Sequence, residues 1–345
     1  MDKSDLGLDV HSKWTTIKGF DPESGEIVEL DRIGKEKEAM SAALSRLPGS
    51  LYGVMETGTN SWAMYHELKP FFAQLTIVNP AQLWDRQRDR SAKTDRRDAW
   101  RMAQKLYRGE IKGIYVPDHH TQDLRVLVRG KVRATRWGTK LVNEIGSLLR
   151  SWGYVGSKSL LSKQGKGELE AAQLPGHSGR VLQLWRELLE KAQEIEQELE
   201  AAIKQEAKAD PVCAQLQTMP SVGPFTALAV RAEIGDIQRF PSSAALISYA
   251  GLAPRVFQSG EHCTYGRVGH GGNSWLRYAL VLLANRMAYH GKGSRLHQLY
   301  WRIQLRHHSN GAKIAVARKA AHLIYHMLRS GQPWQEPVPK ERVRA

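Results

Sequence analysis

The sequence Lys-Thr-Asp-Arg-Arg-Asp-Ala at residues 93–99 places two carboxylates three residues apart in a segment crowded with arginine. On a helix, Asp95 and Asp98 would lie on one face, because residues three apart are neighbours on its surface. Adjacent carboxylates hold a hard divalent cation when further acids converge on them. A solvated helix laced with salt bridges is the alternative, since residues 86–105 carry eight basic residues and three aspartates.

Two further acids lie at the ends of predicted strands. Asp9 closes an apolar run at residues 6–10, and Glu56 closes another at residues 51–56. Sheets of the α/β class place their sites at the carboxyl ends of strands. An apolar strand has no structural need for an acid there, so the sequence favours a metal site over a solvated helix. The predicted ligands are Asp9, Glu56, Asp95 and Asp98.

The pattern around these acids predicts an α/β N-terminal domain. Strands are expected over residues 5–10, 14–20 and 26–30, and the Pro- and Gly-containing turn between the last two favours an antiparallel meander. Helices are then expected at residues 36–46 and 60–69, and strands at 51–56 and 75–78. Alternating strands and helices after a meander indicate a mixed sheet of the RNase H/RuvC type, with the Asp95 helix packed against it.

The composition points to a polyanionic partner. Fifty Lys and Arg against 35 Asp and Glu give a formal charge of +15, which is typical of proteins that bind nucleic acid. No apolar run reaches the roughly 18 residues of a membrane span, and the N-terminus lacks a signal-peptide core, so we expect a cytoplasmic protein without a membrane partner. Cys213 and Cys263 form no CxxC pair and predict neither a disulfide framework nor a zinc site.

A long basic helix is expected after residue 117. Residues 124–150 hold seven basic residues and a single acid, Glu144. A solvated face normally mixes the signs of its charges, so basic residues repeated three and four apart favour a surface that follows phosphates. The members of this basic stripe are Arg125, Arg129, Arg133, Arg136 and Lys140.

The middle of the chain changes character twice. Residues 151–178 are rich in Gly, Ser and Lys and predict a linker or mobile loop. Residues 179–210 repeat apolar positions three and four apart over not quite three heptads. We interpret them as a dimerising or antiparallel coiled coil, with one helix packed on its own domain as the alternative.

The C-terminal part, residues 211–345, is expected to be mostly helical and carries two turns of interest. Pro220-x-x-Gly223 opens an apolar helix, as in a helix-hairpin-helix, where glycine lets backbone N–H groups approach a phosphate. In a glycine-rich loop, Ser259 precedes Gly260, with Arg255, Arg267 and Arg277 near in sequence. Guanidinium groups stabilise charge developing on a phosphate, so Ser259 is a candidate nucleophile, although most serines in such loops only form turns.

Taken together, these motifs closely resemble the DEDD transposases of the bridge-RNA-guided insertion-sequence recombinases. The resemblance covers nearly the whole chain and follows the family's order. It rests on residues 8–10, 56–58, 79–80, 93–99, 220–223 and 251–260. One departure is visible, because Gly269-His270 stands where the family often has Ser-Lys or Thr-Lys, which puts any nucleic-acid contact of that lysine in doubt here.

The resemblance implies a domain layout and a mechanism. The expected layout is a RuvC-like domain at residues 1–150, the linker at 151–178, the coiled coil at 179–210 and a transposase domain at 211–345. Asp9, Glu56, Asp95 and Asp98 would bind one or two Mg²⁺ ions. Ser259 would take a DNA end as a phosphoserine.

The resemblance also implies partners. A noncoding bridge RNA would pair with donor and target DNA. The protein would form a homo-oligomer, a dimer or a tetramer, in which the acidic tetrad of one protomer meets the serine of another. It would be a nucleoid-associated prokaryotic protein. Two alternatives remain open at this point: a RuvC-like, Mg²⁺-dependent nuclease without a covalent intermediate, and a noncatalytic RNA or DNA chaperone.

Overall fold

Contacts divide the chain into two compact units, Met1–Val116 and Pro117–Ala345. The computed structural model describes residues 3–11, 13–34, 36–47, 49–83, 94–155, 159–259, 262–269, 271–291, 293–306 and 308–336, with the backbone alone at 37, 255–259 and 262–267. The predicted boundary at residue 150 therefore differs from the structure, which assigns the basic helix to the second unit.

The first unit is a five-stranded mixed sheet with helices. Its elements are β1 Lys3–Val10, β2 Trp14–Phe20, β3 Ile27–Gly34, α1 Lys37–Leu44, β4 Ser50–Glu56, α2 Ser61–Leu68, β5 Gln74–Val78, α3 Pro80–Leu83 and α4 Asp95–Tyr107. The strand order is β3-β2-β1-β4-β5, antiparallel from β3 to β1 and parallel from β1 to β5. The predicted meander and mixed sheet of the RNase H/RuvC type are confirmed.

Alternation along β1 decides which face carries the acids. Leu6 and Leu8 are fully buried in a core that also contains residues of α1 and α2. Gly7 points to the opposite face, where an added Cβ would lie 1.9 Å from the carbonyl oxygen of Ala99 in α4. Only glycine permits so close an approach, so Gly7 lets α4 lie directly on the sheet.

The second unit is mostly helical. Its elements are α5 His119–Ser151, α6 Lys163–Ala171, α7 Gly176–Ala209, α8 Pro211–Gln217, α9 Pro224–Ile234, α10 Ser243–Tyr249, β6 Pro254–Ser259, β7 His262–Val268, α11 Ser274–His290, α12 Arg295–Gln304 and α13 Ser309–Ser330. A large core joins α9, α11 and α13. None of the helices built from described residues is long and apolar enough to cross a membrane.

Two stretches that were expected to be irregular have regular structure. The predicted linker contains α6, whose Leu169 is buried in a core shared with α5 and α7. The predicted glycine-rich serine loop contains the antiparallel hairpin β6–β7. Glycine density did not indicate this pairing, because a hairpin depends on partner strands that composition does not reveal.

The two longest helices, α5 and α7, pack on each other as an antiparallel pair. Ile145 near the end of α5 shares a core with Leu182 near the start of α7, while Leu124 at the start of α5 shares a core with Ile203 near the end of α7. One predicted seam position, Leu188, is 55% exposed. Helix α7 therefore packs within its own chain, and the coiled coil stays a prediction.

Candidate functional site

Two of the predicted acids end neighbouring parallel strands. Leu8 in β1 pairs with Met55 in β4, and Asp9 and Glu56 are the next residues along these strands. Side chains alternate between faces along a strand, so Asp9 shares the face of Gly7 and Glu56 that of Val54, which packs against Met102 of α4. Both carboxylates therefore leave the sheet on the side covered by α4.

The other two acids lie at the beginning of α4. Thr94 caps the helix, its side chain accepting a hydrogen bond from the backbone N–H of Arg97. Asp95 is the first helical residue, and Asp98, one turn on, is buried. The N-terminus of a helix carries partial positive charge and stabilises carboxylates there, which lets two acids lie close together.

A histidine joins Asp9 to Asp95. Nε2 of His11 lies 3.3 Å from Oδ2 of Asp9 and 3.2 Å from Oδ2 of Asp95. The ligand atoms of these three residues all lie within 4.8 Å of one another, and no other group of three or more is found among the described residues. The structure thus brings two members of the predicted tetrad together.

Glu56 and Asp98 are not part of this close group. Glu56 instead lines a cavity of about 410 Å³, together with His11 and the turn at residues 58–61. His11 thus borders both the Asp9–Asp95 group and the cavity of Glu56. The four-acid set stays a prediction, with its members on one face of the sheet.

Sequence reasoning missed His11. The signal was present, because His11 follows Asp9 by two residues and belongs to the tight turn in which its N–H donates to the carbonyl of Trp14. Acids at strand ends indicate oxygen ligands only and give no sign of a nitrogen ligand nearby. Carboxylate oxygens and an imidazole nitrogen together suit divalent ions of the first transition series as well as Mg²⁺, so the residues present fit a divalent metal site.

An exposed ion pair fixes the start of α4 to the edge of the sheet. Arg96 donates to Asp31 of β3 at 2.7 Å and lies 3.3 Å from Glu29. The hydrogen bond from Arg96 is the main cause that holds the pKa of Asp31 below its ordinary value. Arg96 is adjacent to Asp95, so this pair orients the helix end that carries the acids.

The basic stripe divides into two parts. Arg125 is buried and donates to the carbonyl oxygens of Ala232 and Glu233. Arg129 forms two hydrogen bonds with the Glu233 carboxylate, at 2.7 and 2.8 Å, and Glu233 is fully buried. Asn273 also donates to Glu233 at 2.8 Å. These two arginines therefore hold the second unit together, and their contact with nucleic acid stays a prediction.

The next part of the stripe is exposed and lies against aromatic rings. The guanidinium groups of Arg133 and Arg136 lie 5.7 and 5.4 Å from the ring centre of Trp275 in α11, and Arg136 lies 5.7 Å from that of Tyr278. Lys140 is exposed one turn further along α5. We call Arg133, Arg136, Trp275 and Tyr278 the α5–α11 surface. Its aromatic members were missed because they follow the arginines by about 140 residues in sequence.

The remaining predicted contacts lie elsewhere in the second unit. Gly223 caps α9 and is so close to Arg286 that an added Cβ would lie 2.9 Å from its Nη1. Arg277 donates to the carbonyl oxygens of Gly251 and Gly269, which ties the glycine-rich segment to α11. Its guanidinium therefore has a structural task, and any contact with phosphate stays a prediction.

Ser259 is the last residue of β6, and its backbone pairs with His262 of β7. Arg255 and Arg267 lie on the same hairpin, in β6 and β7. The structure describes only the backbone of Ser259, Arg255 and Arg267. Lys93, Gly260 and His270 lie outside the described residues.

Comparison with known proteins assigns a family. A model of DEDD transposases of the IS110 type, described as "Transposase", matches residues 6–153, which include the four acids and His11. A second, described as "Transposase IS116/IS110/IS902 family", matches residues 213–301, which include Gly223, Ser259 and Arg277.

Curated relatives agree with this match. The transposase for insertion sequence element IS1111A of Coxiella burnetii is 30% identical over 94% of this chain and 89% of that protein. A probable family 20 transposase of Pseudomonas aeruginosa is 24% identical over 95% of this chain and 97% of that protein. The pilin gene-inverting protein of Moraxella bovis is 30% identical over 36% of this chain and 38% of that protein.

The family match assigns a function to the fold that carries the acids. Its first model covers the sheet and helix that bring Asp9 and Asp95 together, and the relative from Coxiella is similar along almost the full length of both chains. Divalent metal use, which the family implies, agrees with the donor set at His11. The chain accordingly belongs to the IS116/IS110/IS902 family and is a DEDD DNA transposase of a bacterial insertion sequence.

Proposed function

We propose that this transposase is an RNA-guided recombinase that cuts and rejoins donor and target DNA through a phosphoserine at Ser259, with Mg²⁺ at Asp9, Glu56, Asp95 and Asp98. The observation that carries the metal half is the convergence of Asp9 and Asp95 on Nε2 of His11. A divalent ion bound by such a set stabilises negative charge on phosphate oxygens. Glu56 and Asp98 leave neighbouring elements on the same side of the sheet, and we propose that they complete the set.

The covalent half concerns Ser259. In the proposed step the hydroxyl loses its proton, Oγ forms a bond to phosphorus, and one bond from phosphorus to a deoxyribose oxygen breaks. The released strand end takes up a proton and becomes a hydroxyl. Attack by the hydroxyl of another strand reverses the step and frees the serine, so the energy of the phosphodiester is conserved without ATP.

Recombination is favoured over simple cleavage by one of the relatives. The pilin gene-inverting protein of Moraxella bovis is named for inverting a gene, and inversion requires that strands be rejoined after they are cut. A Mg²⁺-dependent nuclease that uses water as nucleophile would leave the ends separate. We therefore rank the recombinase above the nuclease.

Adduct trapping tests the covalent step. The full-length protein, with the RNA that copurifies with it and DNA carrying the ends of its insertion sequence, should give a denaturant-stable protein–DNA adduct that mass spectrometry maps to Ser259. Ser259→Ala should abolish the adduct, while the matched control Ser151→Ala, an exposed serine at the end of α5, should retain it. Normal strand exchange by Ser259→Ala would instead favour water as the nucleophile and the nuclease alternative.

The nucleic-acid part of the proposal rests on charge and on the α5–α11 surface. Arginine beside Trp and Tyr suits single-stranded nucleic acid, because guanidinium groups contact phosphates while aromatic rings stack on bases. We propose that this surface binds the guide RNA or the DNA that pairs with it. Sequencing of the copurified nucleic acid tests the guide, and a mixture of sequences without one dominant noncoding RNA would contradict it.

We further propose a homo-oligomer, dimer or tetramer, in which the acids of one protomer act with Ser259 of another. Two inactive variants give a direct test. A mixture of the Asp95→Asn and Ser259→Ala chains should recover part of the strand exchange, because one of the composite sites would then be intact. Absence of recovery, with mixed oligomers verified by mass, would place both halves of each site in one protomer.

A further inference from the structure

His11 lies where a metal ligand would lie, yet it does not belong to the acidic tetrad that names the family. Nε2 of His11 is 3.3 and 3.2 Å from one oxygen each of Asp9 and Asp95. Neighbouring ligands around an ion with octahedral bonds of about 2.1 Å are about 3.0 Å apart. The observed separations are therefore close to those of adjacent ligands on a single ion.

The surroundings of the nitrogen support the same role. Nε2 is enclosed, and among the described residues it has no hydrogen-bond partner of acceptable geometry, although two carboxylate oxygens lie within 3.3 Å. Both carboxylate oxygens thus lie near Nε2 without a well-formed hydrogen bond to it. An ion shared by the three groups would give this nitrogen the partner that it lacks.

Access from solvent is also present. The side chain of His11 is 39% exposed, that of Asp95 is 45% exposed, and that of Asp9 is 17% exposed. His11 also lines the cavity that contains Glu56. Solvent therefore reaches parts of all three side chains, although Nε2 itself is enclosed, and β1 and α4 hold Asp9 and Asp95 on rigid elements.

We infer that Nε2 of His11 is a ligand of the divalent ion, so that the site contains one nitrogen donor. The ratio of Mn²⁺ affinity to Mg²⁺ affinity should therefore be higher than for a site made of carboxylates alone. The chemical reason is that imidazole suits transition metals, whereas Mg²⁺ favours oxygen donors and retains its water. The inference rests on the metal-dependent function proposed above and adds the identity of a ligand and a preference between ions.

Mn²⁺ bound to the full-length protein tests this without any assay of recombination. Pulsed electron paramagnetic resonance should detect coupling between Mn²⁺ and one ¹⁴N nucleus, with or without a short DNA duplex that supplies phosphate oxygens. The coupling should disappear in His11→Gln and persist in the matched control His120→Gln, an exposed histidine of α5. This readout in the unaltered protein does not depend on how well any variant folds.

Calorimetry adds the preference between ions. His11→Gln should weaken Mn²⁺ binding at least about tenfold, the loss that even outer-shell substitutions cause, and should change Mg²⁺ binding less. His11→Asp, which restores an oxygen donor, should move the preference further toward Mg²⁺. Mn²⁺ bound without ¹⁴N coupling and with an unchanged preference would overturn the inference and leave the acidic site intact. Failure of the unaltered protein to bind either ion would overturn the proposed metal site as well.

Discussion

A single buried carboxylate in the second unit and a pair of carboxylates in the first unit have different surroundings. In the second unit, Glu233 is fully buried and is bound by Arg129 and Asn273, with Nε of Arg125 at 3.8 Å. In the first unit, Asp9 and Asp95 are partly exposed and share one imidazole. Charged donors of the chain surround the buried carboxylate, whereas the other two carboxylates are partly exposed and lie beside an imidazole.

The difference separates a structural role from a functional one. A carboxylate is stable in the interior when it is bound by charged donors of fixed geometry. Carboxylates near each other at a surface repel, and they are retained where a bound ion offsets the repulsion. Carboxylates thus stabilise the fold in one unit and, as proposed above, bind a metal ion in the other, so substitutions should affect different properties of the protein.

The largest effect is expected in the exposed group. Asp95→Asn keeps the size of the side chain but removes its charge, so excision of the insertion sequence in cells should fall by about 1,000-fold or more. The free energy of unfolding should change by less than about 0.5 kcal/mol, because the side chain is 45% exposed and the substitution keeps its size. Glu26→Gln, an exposed acid in the β2–β3 turn, is the matched control and should keep normal excision. Activity retained by Asp95→Asn would remove this residue from the metal set.

The buried group should show the reverse. Glu233→Ala leaves Arg125 buried without its carboxylate and should destabilise the second unit by about 3–5 kcal/mol, measured as a shift of the denaturation midpoint. Arg129→Ala and the double variant complete a thermodynamic cycle, in which the two effects should be strongly non-additive. A small, additive effect would mean that the pair does not hold this unit together.

The sequence predicted local features of both units but not the contacts between residues distant in sequence. Strand ends and turns are local signals, so the sequence predicted β2 with its observed bounds, placed Asp9 and Glu56 at the ends of two strands, and predicted that the Asp95 helix packs against the sheet. Partners distant in sequence carry no local signal. Arg129 and Glu233 are 104 residues apart, and nothing near Arg129 marks it as internal. The spacing of the basic residues predicted one face of α5 but not that α9 covers Arg125 and Arg129 on that face.

His11 and Trp275 were missed for related reasons. His11 required a search for nitrogen donors beside an acid, which local sequence allowed. Trp275 required knowledge that α11 packs beside α5, which only the fold supplies. Ser259 lies between these cases, because its dispersed motif was recognised while the strand that carries it was expected to be a loop.

A third prediction separates the two parts of the basic stripe. Substitution of Arg133 and Arg136 together by Gln should weaken binding of single-stranded RNA and reduce the slope of log affinity against log salt by up to about 1.4 units, about 0.7 for each lost phosphate contact. Fluorescence anisotropy at several salt concentrations gives the slope. The double variant Lys191→Gln/Lys204→Gln removes the same charge from exposed positions of α7 and should leave the slope nearly unchanged. Equal effects of both variants would indicate attraction to net charge rather than contact with the α5–α11 surface.

The smallest effect concerns an exposed carboxylate that accepts a hydrogen bond from the backbone. Asp118 caps α5, and Oδ1 accepts a hydrogen bond from the N–H of Thr121 at 2.6 Å. This bond is the main cause that lowers the pKa of Asp118 below its ordinary value. The ionised group therefore stabilises the fold above the pKa of the unfolded chain, about 3.9, and this stabilisation is lost as the pH falls through the lower folded pKa.

Asp118→Ala should accordingly cost about 1 kcal/mol of stability near pH 7, the usual loss of an N-cap, and the difference from the unaltered protein should shrink as the pH falls below about 4. Asp118→Asn is the matched variant, because asparagine also caps a helix but does not titrate in this range. Denaturation midpoints measured from pH 7 to pH 3 should converge for alanine and the unaltered protein. A difference that stays constant with pH would mean that Asp118 stabilises α5 through packing, because the hydrogen bond to an ionised carboxylate predicts a dependence on pH that packing does not.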